Sequence, residues 1–254
     1  MLFSSIGIWL LTAGGSIALL AADESTYSGS ESCGACHPSR LGRQSDSGHA
    51  QTLHRAVDHP RALFFAPLRL VSRDPDYWFG FSFAGDEFTV EAFDSEYRTE
   101  LPIEWAFGSG IHAVTFVTRL RGDVYLEHAF SYYPDTRSLD MTPGHERQQA
   151  TTLALAMGVL YKTHGPGIAM ARCFECHATG PVSVAPKDGI APNEPGVRCE
   201  VCHGPGSGHL DAVTQNKIAA SKQRIRNPKR LTARKLNEFC GTCQRSLTKS
   251  KPSS

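Results

Sequence analysis

All eight cysteines of the chain fall in pairs with two residues between them: Cys33/Cys36, Cys173/Cys176, Cys199/Cys202 and Cys240/Cys243. A histidine follows three of the pairs directly: His37, His177 and His203. Gln244 follows the fourth. Two thiols three positions apart share one turn, so both can bond to one edge of a flat macrocycle. The next residue can then present an imidazole to its centre. That is the chemistry of covalent haem attachment. Each S–H adds across a vinyl group, and the histidine becomes the proximal iron ligand.

Other uses of the same residues fit less well. Cys173/Cys176 with Cys199/Cys202 has zinc-ribbon spacing, and any single pair could be a redox dithiol. Neither explains a histidine at the same offset three times. Zinc thiolates also suit an exported chain poorly, because thiols oxidise outside the cytoplasm. A disulfide framework fails because every cysteine is in a close pair. Three haem c groups are therefore expected, and a fourth is not, since glutamine is a poor iron ligand. Cys240 and Cys243 read as a degenerate fourth site, left as a reactive dithiol or a local disulfide. Three haems would supply much of the core, so the chain is expected to be largely unfolded without them.

Each iron has a second face. Of eleven histidines, eight remain after the proximal three: His49, His54, His59, His112, His128, His145, His164 and His209. A lone histidine is more often structural, but an excess beside haem motifs shifts the balance. His209 follows His203 by six residues, across Gly204-Pro205-Gly206-Ser207-Gly208. His49 sits in Ser47-Gly48-His49-Ala50, and His112 closes Gly108-Ser109-Gly110-Ile111-His112. These three are the distal candidates. His54, His145 and His164 rank below them, and His59 and His128 lower still.

Residues 23–75 hold the first motif among loops and short helices. Residues 76–140 read as an antiparallel β-hairpin module. Tyr77–Phe83 and Glu87–Phe93 alternate around Ala84-Gly85-Asp86, and His112–Leu120 and Val124–Tyr133 alternate around Arg121-Gly122-Asp123. That Arg-Gly-Asp is a hairpin turn in the first instance. Residues 141–245 carry the two remaining complete motifs and the degenerate one. Gln148–Lys162 has helical spacing, residues 178–198 are rich in proline and glycine and read as a loop, and Asp211–Gln223 and Thr232–Phe239 read as helices. Residues 246–254 read as a disordered tail, and the broken motif suggests a shortened form of something longer.

Residues 1–22 contain no charge, and Ile6–Leu20 is almost wholly apolar. This reads as a signal peptide, with an uncleaved N-terminal anchor as the alternative. Either places the remainder outside the cytoplasm, in the periplasm or beyond. Net charge is +1, so no general field points to nucleic acid. A basic run from Lys217 to Lys251 reads as a solvated face, with a docking patch for an acidic redox partner as the weaker alternative.

Several segments resemble the multihaem cytochromes of the cytochrome c-554-like (c-554/c-prime) family. They are Ser30-Glu31-Ser32-Cys33 through His37, Ser47-Gly48-His49-Ala50, Arg172 through Gly180, Gly196 through Gly206, His209, Arg226-Asn227-Pro228 and Phe239-Cys240-Gly241-Thr242-Cys243. The resemblance implies a mainly α, loop-rich fold with stacked haem pairs, interrupted here by the β-hairpin module. It implies iron ligation by His49 and His209 and, by a weaker correspondence, His112. Gln244 departs from the family, where a histidine completes a fourth motif. The expected function is electron transfer between redox proteins. The alternative is a redox enzyme acting on a small nitrogen or sulfur compound at a five-coordinate haem, for which the sequence shows no catalytic cluster.

Overall fold

The computed structural model describes residues 25–65, 69–71, 76–145, 150–165, 169–185 and 187–244. The expectations for residues 1–22 and 246–254 lie outside these residues. Among the described residues, no helix is long and apolar enough to cross a membrane.

The first motif starts in α1 (Ser30–Gly34) and leads into α2 (Pro38–Ser45), with Pro38 in the first turn, where its missing N–H costs nothing. Then follow β1 (Leu53–Arg55), α3 (Ala62–Phe65), β2 (Arg69–Val71), β3 (Trp78–Ala84), β4 (Glu87–Phe93), β5 (Arg98–Pro102), β6 (Trp105–Phe107), β7 (Val114–Arg119), β8 (Val124–Tyr133) and β9 (Ser138–Met141). The second half holds α4 (Leu153–Met157), β10 (Gly158–Lys162), α5 (Met170–His177), β11 (Ala178–Ala185), β12 (Gly189–Pro195), α6 (Cys199–His203), α7 (Ser207–Thr214), α8 (Ile218–Ser221) and α9 (Ala233–Gln244).

The expected hairpins form. β3 and β4 pair through Ala84↔Glu87, and Gly85 takes the positive φ of 60° that the tight turn needs. β2 to β5 make a four-stranded antiparallel sheet. A second sheet runs β1-β6-β7-β8-β10, with β9 also on β8, and β11 pairs with β12 as a ribbon. The six-stranded sheet thus recruits β1 and β10 from segments flanking residues 76–140.

The six-stranded sheet is apolar on both faces. One face meets the four-stranded sheet, where Phe79, Phe81, Phe88 and Val90 pack with Phe116, Phe130, Tyr132 and Phe65 of α3. The Phe65 ring lies 5.0 Å from Phe116 and 5.2 Å from Tyr132. The other face carries Leu53, Trp105, Phe107, Val117 and Tyr125, which receive Met170 and Phe174 of α5 together with Ala178 and Ile190 of the ribbon. The second haem motif is therefore anchored on a sheet.

This overturns the expectation of a mainly α fold. The protein is mixed, about 32% helix and 32% strand, with three antiparallel sheets among the described residues. Two segments account for much of the difference. The helical spacing at 148–162 yields only one turn and a half before Gly158, whose φ of 147° ends α4 and starts β10 along β8. The Pro/Gly-rich stretch 178–198 forms the β11–β12 ribbon, in which Ile190 is fully buried under Tyr125.

Candidate haem-binding site

The second motif lies wholly in α5. Phe174, between its cysteines, is fully buried and sits edge-on to Trp105 at 5.1 Å and Phe107 at 5.0 Å. These contacts fix the helix, and with it Cys173, Cys176 and His177. The His177 ring packs on Phe107, and its Nδ1–H donates to the Thr52 carbonyl at 3.3 Å. Thr52 Oγ1 returns a bond to the His177 carbonyl at 3.3 Å. The Nε2 lone pair is then the free end of the ring.

The third motif occupies α6. His203 Nδ1–H donates to the Arg226 carbonyl at 2.7 Å. His209, in α7, does the same to the Ser221 carbonyl at 2.9 Å. Three imidazoles thus share one arrangement, with one nitrogen held by a backbone carbonyl and the other left as a base. That is the tautomer and orientation a metal-bound histidine requires.

The first and third motifs are locked together. Glu200 lies inside the third motif and is 2% exposed. Its carboxylate accepts from the backbone N–H of Ser28 and Gly29, both at 2.9 Å, and of Gly206 at 2.7 Å. Glu194 accepts from Ser30 N at 3.3 Å and Ser30 Oγ at 3.1 Å. The thiols of Cys33 and Cys199 are hydrogen-bonded to each other.

In the first motif the His37 N–H donates to the Cys33 carbonyl at 2.9 Å, so Cys33 and Cys36 share one helical turn although their exposure differs. Cys33 is half-buried within α1, but α1 ends at Gly34, and Cys36 falls in the turn before Pro38. Pro38 opens α2, and the residue before a proline is turned away from helical backbone, here His37 with ψ of 50°. Cys36 is exposed, and His37 beside it is exposed too. The structure brings Cys33 to the third motif and leaves Cys36 at the surface.

The fourth pair bridges the other two. Cys243 hydrogen-bonds to Cys176 of the second motif, and Cys240 is an electrostatic neighbour of Cys202 of the third. All eight cysteines are free thiols. The four motifs are therefore chained in space in the order first, third, fourth, second.

Burial pushes the Cys33 and Cys173 thiols up to about 11 and Cys176 up to about 12, with smaller contributions from Cys199, Glu127 and Cys243 respectively. Cys202 is raised as well, again chiefly by burial. Such thiols stay protonated at neutral pH while nothing is bound to them. Paired cysteines on one turn beside a histidine with free Nε2 fit haem c. Cys173/Cys176 with His177 and Cys199/Cys202 with His203 would each hold one haem. Cys33/Cys36 with His37 would hold another, on the exposed side of the first motif.

His49 and His112 are exposed, and their loops touch: a Cβ on Gly48 would lie 3.3 Å from Ile111 Cδ1. Other histidines have different work. His59 is buried, its Nε2–H donates to Gly108 O at 3.0 Å, and its Nδ1 accepts from Arg61 N at 2.9 Å. Both nitrogens are engaged, and burial lowers its pKa to about 4. His128 is buried and donates Nε2–H to Thr118 Oγ1 at 2.8 Å, while Thr118 donates to Pro102 O at 2.7 Å. His145 pairs with Glu127 at 3.2 Å, and His164 is exposed. His54 Nε2 is buried with no hydrogen-bond partner among the described residues, and its ring sits 5.0 Å from His59. Sequence reading missed the groups that hold the motifs: Glu200, Glu194 and Thr52. Nothing in their spacing marks them.

This arrangement is one that could hold haem c on each complete motif. Residues 141–204, which contain the second and third motifs, match the family model described as cytochrome c554 and c-prime. Over those residues the chain is similar to that family of multihaem c-type cytochromes. The likeness fits covalent haem c as the group that these motifs would hold. Among solved structures, the outer cell wall cytochrome OcwA is similar, with TM-score 0.47 and 19% identity over 85% of this chain. The match spans 37% of that cytochrome's length. No curated protein sequence matches the chain.

Proposed function

We propose that the chain is an exported electron carrier with three covalent haems, each held between two histidines. His37, His177 and His203 are the proximal ligands, and His49, His209 and His112 the distal ones. Irons closed on both faces exchange electrons and bind no substrate. The observation that carries this reading is the shared posture of His177, His203 and His209, each presenting Nε2 with Nδ1–H held by a carbonyl. His209 is a candidate distal residue, yet it is held as the proximal ones are.

The contacts between motifs support passage of electrons from haem to haem. The partners are other redox proteins, and net charge gives nucleic acid no role. Export rests on the uncharged apolar start of the sequence, residues 1–22. The test is electron paramagnetic resonance of the ferric protein, with its intact mass. Low-spin signals from all irons and a mass increase of three haems are expected. A high-spin fraction that binds cyanide would replace the carrier with an enzyme acting at an open haem.

A further inference from the structure

Cys240 and Cys243 are left over once three haems are attached. They sit at i and i+3 of α9, Cys240 exposed and Cys243 half-buried. Helical geometry brings the two Cα atoms to about 5 Å, inside the range a disulfide spans. Their neighbours are specific. Cys243 is an electrostatic neighbour of Cys176, and Cys240 of Cys202. Both neighbours are haem-attachment residues of different motifs. Beside Cys240 a cavity of about 330 Å³ is lined by Asn237, Cys240, Gly241 and Gln244. A carboxamide at Gln244 leaves these thiols without the histidine that would commit them to a haem.

We propose that Cys240 and Cys243 form a reversible disulfide that exchanges electrons with the haems on Cys173/Cys176 and Cys199/Cys202. This rests on the reading of those motifs as haem-bearing. Two ferrous haems each give one electron, the S–S bond breaks, two protons are taken from solvent, and two thiols and two ferric haems result. In the reverse direction the S–S bond forms, two protons leave and two ferric haems are reduced. The pair thereby adds a two-electron store to a chain of one-electron carriers. The cavity at Cys240 gives a small external thiol or disulfide access to the same sulfur.

The test uses the holoprotein and its C240S/C243S variant. Both are first oxidised with ferricyanide, then given dithionite equal to about half of the haem, without oxygen. In the wild type the haem absorbance should show reduction followed by slow reoxidation, as electrons pass to the disulfide. Denaturation and alkylation at the end should label two cysteines, and none before dithionite. In the variant the haems should stay reduced. Haem reduction that persists equally in both proteins, or two alkylated cysteines in the oxidised wild type, overturns the proposal. Absence of a haem spectrum, or labelling of more than two cysteines, would instead remove the haem reading beneath it.

Discussion

Glu200 holds two haem motifs at once, and its substitution has a calculable cost. Its carboxylate takes three backbone N–H groups, from Ser28, Gly29 and Gly206, in a setting closed to water. Hydrogen bonds to a charged group contribute roughly 1.5–3 kcal/mol, and orphaned buried donors cost more. Glu200→Ala should lower stability by about 3 kcal/mol in denaturant titration, and Glu200→Gln, which keeps one acceptor oxygen, by less. Two buried histidines set the response to acid. His59 and His128 have folded pKa values lowered by burial to about 4 and about 3. The unfolded chain therefore binds more protons below about pH 6.5, so the stability they contribute is complete above that value. It falls as pH drops from about 6.5 toward 4 and below. Denaturant midpoints at neutral and mildly acid pH should show this loss, and His128→Gln, which keeps a donor for Thr118, should flatten it. The candidate haem residues stand out in the sequence because tether and ligand are encoded in five adjacent positions. The exposure of Cys36 was not legible, because the spacing of a pair does not say what packs over it. Nor were the partners of the imidazoles. Thr52, Ser221 and Arg226 act through backbone carbonyls, and a carbonyl leaves no mark on residue type.

The β-strands explain what the haem motifs stand on, and Gly158 is where that support is most sensitive. Its φ of 147° lies where L side chains are strained, and β10 pairs with β8 through Gly158↔His128. A side chain there would also run into the Glu127 backbone carbonyl. Gly158→Ala should cost at least roughly 1–3 kcal/mol, the strain of a disallowed backbone angle, read as a lowered unfolding midpoint. The hairpins at 78–93 and 114–133 were legible because one face of each strand is apolar and each turn contains glycine. The strand β10 was not. Its apolar residues also fit helical spacing, and only packing against β8 decides between the two. The ribbon β11–β12 was hidden by its prolines, which mark loops in general but here sit in a two-stranded edge. The Phe65, Phe88 and Phe116 cluster is made of protein side chains alone. Replacing the six haem-attachment cysteines by alanine should therefore leave a strand signature in far-ultraviolet circular dichroism, against the expectation of a chain largely unfolded without haem.

Across the whole molecule, charge is unevenly spread. Net charge is +1, yet Lys217, Lys222, Arg224, Arg226, Lys229, Arg230, Arg234 and Lys235 follow one another with no acidic residue among them. The rest of the chain is correspondingly negative. All eight are exposed, and the segment is the one whose Ser221 and Arg226 carbonyls hold His209 and His203. A positive surface beside an electron-bearing group steers negatively charged partners, and salt screens that attraction over about 10 Å at roughly 0.1 M. Electron transfer between the reduced holoprotein and an acidic redox protein should thus slow as salt rises. The triple change K229E/R230E/K235E avoids Arg234, which faces Glu238 at 3.9 Å, and Arg226, which stacks on Phe239. Stopped-flow rates at low salt should fall by about tenfold or more in this variant, as steering typically contributes one to three decades. The same variant should react faster than wild type with the cationic oxidant hexaammineruthenium(III). Equal rates for both proteins with both probes would mean that electrons leave by another face, and the basic segment would then be only a solvated surface.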